Sequence, residues 1–285
     1  MKDRHLFHLL ELQLAMLCIS TSGALGRYIT LPPALTIWWR ALFALFFLGV
    51  FCWWKGYSFR FGNAKNARII LLTGILMAAH WVTYFYALQL SNVAIGMLSI
   101  FTYPVMTALL EPIMLKTKFQ GIQLLLAGMV LLGIFFLVPE LNLDNSITQG
   151  VLMGLLSAFV YSIRNILLKT KVADFNGSVI IFYQMIVTLV IVAPALFLYT
   201  SSEVATFVPQ LIALGLVTTA IGHTLFLNSF KHFSVSTASI MSSVQPIYGI
   251  LLGMLFLKEF PNWQSIIGGA LILLTVVIES RRVKN

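Results

Sequence analysis

The chain has 285 residues, of which 59% are hydrophobic and 9% charged, with a mean hydropathy of +0.94. Soluble domains carry roughly 25% charged residues, so this chain cannot cover a water-facing surface, and a soluble enzyme, a disordered chain and a secreted disulfide scaffold are all excluded. The net charge of +9, from 18 basic and 9 acidic residues, is not a nucleic-acid signature, because no Lys/Arg block interleaves with aromatics on a polar face.

A helix needs about 20 apolar residues to cross a bilayer. The apolar runs predict helices over 8–29, 35–54, 68–89, 92–115, 119–138, 147–169, 177–199, 207–230, 234–257 and 262–280. Lys2 and Arg4 precede the first run, which is too long for a signal-peptide core and reads as a retained span. Pro32-Pro33 separates the first two helices, and Gly56 to Ala67 is a polar connection. The segment from Pro139 to Ser146 is the clearest polar break and lies mid-chain, while Asp174 to Gly177, Thr200 to Glu203 and Phe260 to Asn262 punctuate the second half. Continuous apolar runs of this length exclude barrel strands, which alternate over about ten residues. The expected fold is therefore an all-α polytopic membrane protein with ten transmembrane helices. Cys18 and Cys52 each sit in an apolar run without a CxxC or Cys/His cluster, so no metal, redox site or cofactor is expected.

With the N-terminus inside, the inner connections hold Lys2, Arg4, Lys55, Arg60, Lys65, Arg68, Lys116, Lys118, Lys169, Lys171, Lys231, Arg281, Arg282 and Lys284, which is 14 of the 18 basic residues. The outer connections hold only Arg27 and Lys258. This asymmetry places both termini in the cytoplasm.

Residues 142 positions apart match. From 104–116 against 246–258, five of 13 positions are identical, including Pro104 with Pro246 and Leu115-Lys116 with Leu257-Lys258. At the different spacing of 137, Ser20 and Arg27 align more weakly with Ser157 and Arg164, both pairs seven apart. The chain thus divides into five-helix units over 1–142 and 143–285. An odd number of helices inverts the second unit, and inverted repeats are typical of carriers whose substrate site lies near the midplane between the halves.

At these residues the chain resembles the EamA-like branch of the drug/metabolite transporter superfamily. The resemblance rests on the five-plus-five pattern, on the central prolines of the fourth and ninth helices, and on Leu257-Lys258-Glu259 followed by Gly268-Gly269. Thr117 stands where that family usually has the first repeat's glutamate. The resemblance implies a ten-helix carrier of the bacterial inner membrane, most often exporting amino acids or related small metabolites.

Polar residues within spans mark the site. His80 with Tyr84 one turn on, and His223, are read as lining of a central cavity; the competing reading is histidines donating to backbone carbonyls in a packed core. Ser99 with Tyr103, and Ser242 with Gln245, give two polar stripes beside Pro104 and Pro246, which act as hinges by removing a backbone hydrogen bond. Tyr161 and Arg164 share a face; a guanidinium suits a carboxylate or phosphate, unless Arg164 snorkels to the cytoplasmic interface. Arg40, beside Trp38-Trp39, is read as an interfacial anchor. Glu111 and His80 are candidates for proton coupling. The expected partners are a small-molecule substrate and the lipid bilayer, with no nucleic acid and no obligatory protein partner. The alternatives are an intramembrane enzyme using the midplane histidines, or a facilitator or importer of another small metabolite. No acid accompanies either histidine in sequence, and no GxxxxGK[ST] motif is present.

Overall fold

The computed structural model describes residues 2–60, 64–116, 118–138, 140, 142–169, 175–199, 203–229 and 242–282, with side chains from Phe7 to Ile278. The secondary structure of these residues is helical throughout. In chain order the helices are α1 (Lys2–Tyr28), α2 (Pro33–Trp54), α3 (Ala64–Leu90), α4 (Val93–Ile100), α5 (Tyr103–Leu115), α6 (Ile122–Leu137), α7 (Ser146–Lys169), α8 (Gly177–Val192), the short α9 (Ala195–Leu198), α10 (Val204–Ala213), α11 (Thr224–Ser229), α12 (Gln245–Leu252) and α13 (Trp263–Arg282). Two stretches are wound as π-helix: π1 (Leu214–His223) joins α10 to α11, and π2 (Gly253–Leu257) continues α12.

Among the described residues, seven helical segments are long and apolar enough to cross a membrane, and three shorter apolar ones cover Ile122–Leu137, Gln245–Leu257 and Trp263–Ile278. The polar connections also serve as caps. The Asn92 side chain accepts from the Ile95 amide at 2.9 Å, and Asn176 accepts from the Ser178 amide at 3.0 Å. Pro33 opens α2, where its missing N–H costs nothing. Lys116 and Lys258 end their helices in the left-handed conformation, with φ of 55° and 58°. They are the only described non-glycine residues there, and they lie 142 positions apart. The predicted ninth helix is described only from Ser242; its start, and Thr117, lie outside the described residues.

The helices pack as a web of pairs. α3 lies along both α7 and α8, α2 along α8 and π1, and α1 along π1 and α12; α4 and α5 both pack on α7, α4 touches α12, and α6 lies on α13. Lipid offers no hydrophobic drive between helices, so close approach through small residues carries this packing. At the α6–α13 crossing a Cβ on Gly268 would stand 2.6 Å from the Gly133 carbonyl oxygen, which is backbone and cannot move aside.

One end of the bundle is tied by a polar network. Arg27 Nε donates to Glu259 Oε1 at 2.7 Å and Arg27 Nη1 to the Gln89 carbonyl at 2.8 Å. Glu259 Oε2 in turn accepts from the Val93 amide at 2.9 Å, at the positive N-terminal end of α4. Gln89 Nε2 donates to the Ile29 and Leu31 carbonyls, at 2.8 and 2.9 Å. The end of α1, the α3–α4 connection and the residues after π2 are thereby joined.

Gly268→Leu should lower the unfolding free energy by about 1–3 kcal/mol through overpacking, read as a drop in melting temperature of the purified protein. Arg27→Gln and Glu259→Gln should be non-additive, with a coupling of about 0.5–3 kcal/mol in a double-mutant cycle; additive losses would mean that the pair does not act as a unit.

Candidate functional site

The site forms where two helices break. Pro104 cannot donate to the preceding turn, and the predicted fourth helix splits: α4 stops at Ile100, Phe101 and Thr102 make a turn, and α5 restarts at Tyr103. Pro246 does the same 142 residues on. Ser243 and Val244 make the turn, and α12 restarts at Gln245. The equivalence extends to single hydrogen bonds. The Met106 amide donates to the Thr102 carbonyl and the Tyr248 amide to the Val244 carbonyl, each at 3.1 Å.

Each break is buttressed from outside its own half of the chain. Ser162 Oγ, on α7, donates to the Tyr103 carbonyl at 3.0 Å. Ser20 Oγ, on α1, donates to the Gln245 carbonyl at 3.1 Å. Both carbonyls precede a proline, and both donors come from a helix that the 142-residue spacing assigns to the other half. Sequence reading missed this pair. The signal was a buried serine on the first helix of each half, but register alone does not show which carbonyl it meets.

Between the breaks lies a cavity of about 40 Å³. Its wall takes Ile19 and Ser22 from α1, Arg40 from α2, His80, Trp81 and Tyr84 from α3, Met97 and Ile100 from α4, Phe101 and Tyr103 from the first break, Tyr161 from α7, His223 from π1 and Gln245 from α12. A water needs roughly 10–15 Å³ by this measure, so the space holds a few waters, far less than a whole metabolite requires.

His80 is held tightly. Its Nδ1 lies 2.8 Å from Ser157 Oγ, which itself donates to the His80 carbonyl at 2.7 Å. The ring stacks on Tyr161 at 4.3 Å between centroids and lies parallel to Tyr84 at 6.3 Å. The His223 ring lies 5.8 Å from the Trp81 indole. Tyr103 donates to or accepts from Ser242 Oγ at 2.9 Å and meets the Tyr161 ring edge-on at 5.1 Å.

Six of the residues expected on the lining are brought together there: His80, Tyr84, Tyr103, Tyr161, His223 and Gln245. Three are placed elsewhere. Ser99 donates to the Ile95 carbonyl at 2.7 Å and faces Gly154 of α7, so it is a packing residue. Ser242 lies behind Tyr103 and orients its hydroxyl. Arg164 is 3% exposed, so it does not snorkel; Nη2 donates to Gln184 Oε1 at 2.7 Å and Nη1 to Asn165 Oδ1 at 3.0 Å, behind Tyr161 rather than in the cavity. Glu111 is half-buried on α5 and outside the lining.

Arg40 requires a correction. It is 1% exposed and lines the cavity, so it is no interfacial anchor. Its Nε donates to Thr219 Oγ1 at 2.9 Å, and its guanidinium carbon sits 3.8 Å from the Trp81 ring centroid. It is the only charged residue between Pro33 and Trp54, a pattern that marks function by default. The adjacent Trp38-Trp39 doublet drew the sequence reading to the interface instead.

Known proteins bear on this arrangement. The chain is 22% identical over 259 residues to a pseudopaline exporter of Pseudomonas aeruginosa, covering 90% of this chain and 89% of that protein. It is 26% identical over 199 residues to an uncharacterized transporter of Archaeoglobus fulgidus, covering 70% and 71%. A solved crystal structure, 18% identical, superposes with a TM-score of 0.68 over 98% of this chain and 99% of that one. The EamA-like transporter family model matches twice, over residues 7–138 and 148–281, flanking the mid-chain break. With nearly the whole chain matched, this protein belongs to the EamA-like transporter family.

Proposed function

We propose that this transporter moves a small metabolite, an amino acid or a related compound, by alternating access between two inverted five-helix halves, with net flow outward. The observation that carries the reading is the cavity between the two proline breaks, walled by helices from both halves. Packing supports the repeat. Count the ten spans with α4–α5 as the fourth, α8–α9 as the seventh, α10–π1–α11 as the eighth and α12–π2 as the ninth. The first span then packs on the eighth and ninth as the sixth packs on the third and fourth, and the second packs on the eighth as the seventh packs on the third. Exchanging each span with its partner five later maps these contacts onto themselves. The two matches of the family model and the paired left-handed lysines fit the same division.

Orientation follows from the basic residues, 14 facing the cytoplasm against two outside. On that assignment the Arg27–Glu259 network closes the outer end. Thr117, which stands 142 positions before Glu259, brings no carboxylate to the inner end. Export of an amino-acid-like compound across a bacterial inner membrane fits the relative named as an exporter, and its substrate is not carried over. The cavity must widen to admit a whole metabolite, which the two breaks permit because backbone polar groups there are already shared between the halves. His80 and Glu111 remain the proposed coupling groups for any proton dependence. The competing reading is an intramembrane enzyme using the midplane histidines, His80 and His223.

Counterflow in proteoliposomes, with a labelled amino-acid pool and with or without a pH gradient, tests this reading. Saturable exchange is expected. No exchange of any pool component by folded protein would remove the amino-acid assignment. Tyr84→Ala and Tyr103→Phe should each reduce flux about tenfold or more, as expected for loss of an oriented site contact, with folded yield retained. Unchanged flux in both would dissociate this cavity from transport.

A further inference from the structure

Among the cavity residues, Arg40 is the one whose charge is not answered. The wall contains no Asp or Glu. The two ion pairs among the described residues, His8 with Glu11 and Arg27 with Glu259, do not involve it. Nε is used by Thr219, whose hydroxyl hydrogen is committed to the Leu214 carbonyl at 2.9 Å. Nη1 is fully buried and has no hydrogen-bond partner. The Trp81 face stabilises the cation from one side, but a ring face supplies no acceptor in the guanidinium plane. Arginine stays charged and presents its donors as a flat fork matched to two oxygens. A buried charge without a counter-ion is costly, and this one is held in place by a helix packed against π1 rather than by a mobile loop. Arg164, the other buried arginine, lies outside the cavity wall; its two terminal nitrogens are taken by Gln184 and Asn165, and its Nε has no partner.

We infer that Arg40 is the anion-binding residue of the transport site, and that the substrate carries a carboxylate which docks on the free edge of this guanidinium. The carboxylate then supplies the missing counter-charge. Trp81 holds the guanidinium plane, and the rings of Tyr84, Phe101 and Tyr161 leave an apolar wall for the rest of the molecule. The proposed transporter role is assumed here, and what is added is the residue that recognises the substrate and the group it requires: Arg40 selects a carboxylate over its neutral counterpart.

The test uses the full-length protein and paired probes, a panel of monocarboxylates from acetate to phenylacetate and phenylalanine, each against its own carboxamide. Melting of the purified protein reads binding and counterflow reads transport. Carboxylates are expected to raise the melting temperature and to compete for flux, while their amides do neither. Arg40→Gln should weaken half-saturation about tenfold or more, the loss of one charge-assisted hydrogen-bonded contact. Arg40→Lys, which keeps the charge but not the fork, should fall between. The wild-type comparison of acid with amide stands even if a variant fails to fold. Binding of carboxylates without flux would sink the carrier reading and keep the anion site. Flux in which amides compete as well as acids, or which Arg40→Gln leaves unchanged, would overturn the anion site and keep the carrier. Failure of every carboxylate in the panel to protect or compete would also overturn it.

Discussion

Inside a bilayer every backbone N–H and C=O must find a partner within the protein, and the two prolines put that rule under stress in two helices. Pro104 and Pro246 each interrupt a span, and an interrupted span survives only where protein surrounds it. Here a helix from the other half of the chain meets each break: the Ser162 hydroxyl lies 3.0 Å from the Tyr103 carbonyl and the Ser20 hydroxyl 3.1 Å from the Gln245 carbonyl. The breaks are therefore buried between packed helices, and the cavity lies where they are buried. The need to satisfy backbone polar groups and the need for a substrate space select the same place.

The same breaks decide how the molecule is able to deform. Elsewhere the packing is tight at the level of backbone, as at Gly133 and Gly268. Close-packed interiors shift between discrete arrangements rather than stretch, so on the proposed alternating-access reading movement is taken up at turns such as Phe101-Thr102 and Ser243-Val244. The π-wound stretch beside Arg40 is a third irregular element; π-helix is rare and concentrates at functional sites. Its geometry brings the Thr219 hydroxyl to the Leu214 carbonyl five residues back, and so sets the one partner that Arg40 Nε has.

How far sequence alone reached depends on what each residue's signal was. The spans were legible because hydropathy over about 20 residues is a strong one-dimensional signal. The histidines, Tyr84, Tyr103, Tyr161 and Gln245 were legible because polar groups are rare in such spans. Ser99 carried the same signal and was misplaced, since only its contact with Gly154 shows that it faces a neighbouring helix. Arg164 lies outside the cavity, which sequence alone did not show because Gln184 and Asn165, which take its terminal nitrogens, are ordinary residues until folding brings them within 3.0 Å. Arg40 was misread because tryptophan next to arginine is the pattern of a membrane interface as much as of a cation–π pair in a core. The ambiguity is physical, and only burial resolves it.

The proposed halves share a proline break and a left-handed lysine at the same spacing, and differ where charge is concerned. Lys116 and Lys258 share a left-handed turn, yet only the second is followed by a carboxylate, Glu259, that reaches across to Arg27 and to the start of α4. Two arginines of the first and sixth spans also diverge: Arg27 has an ion pair at one end of the bundle, and the terminal nitrogens of Arg164 donate to neutral amides. An exchange between two equivalent conformations would be balanced if the halves were identical. An ion pair present at one end and not repeated in sequence at the other unbalances it, favouring closure at the Glu259 end in the empty protein. A carboxylate neutralising Arg40 would then act on an equilibrium that is already biased. It could shift that bias only by the difference in its affinity for the two states, while the direction of net flow is set by the gradients of the substrate and of any coupled ion.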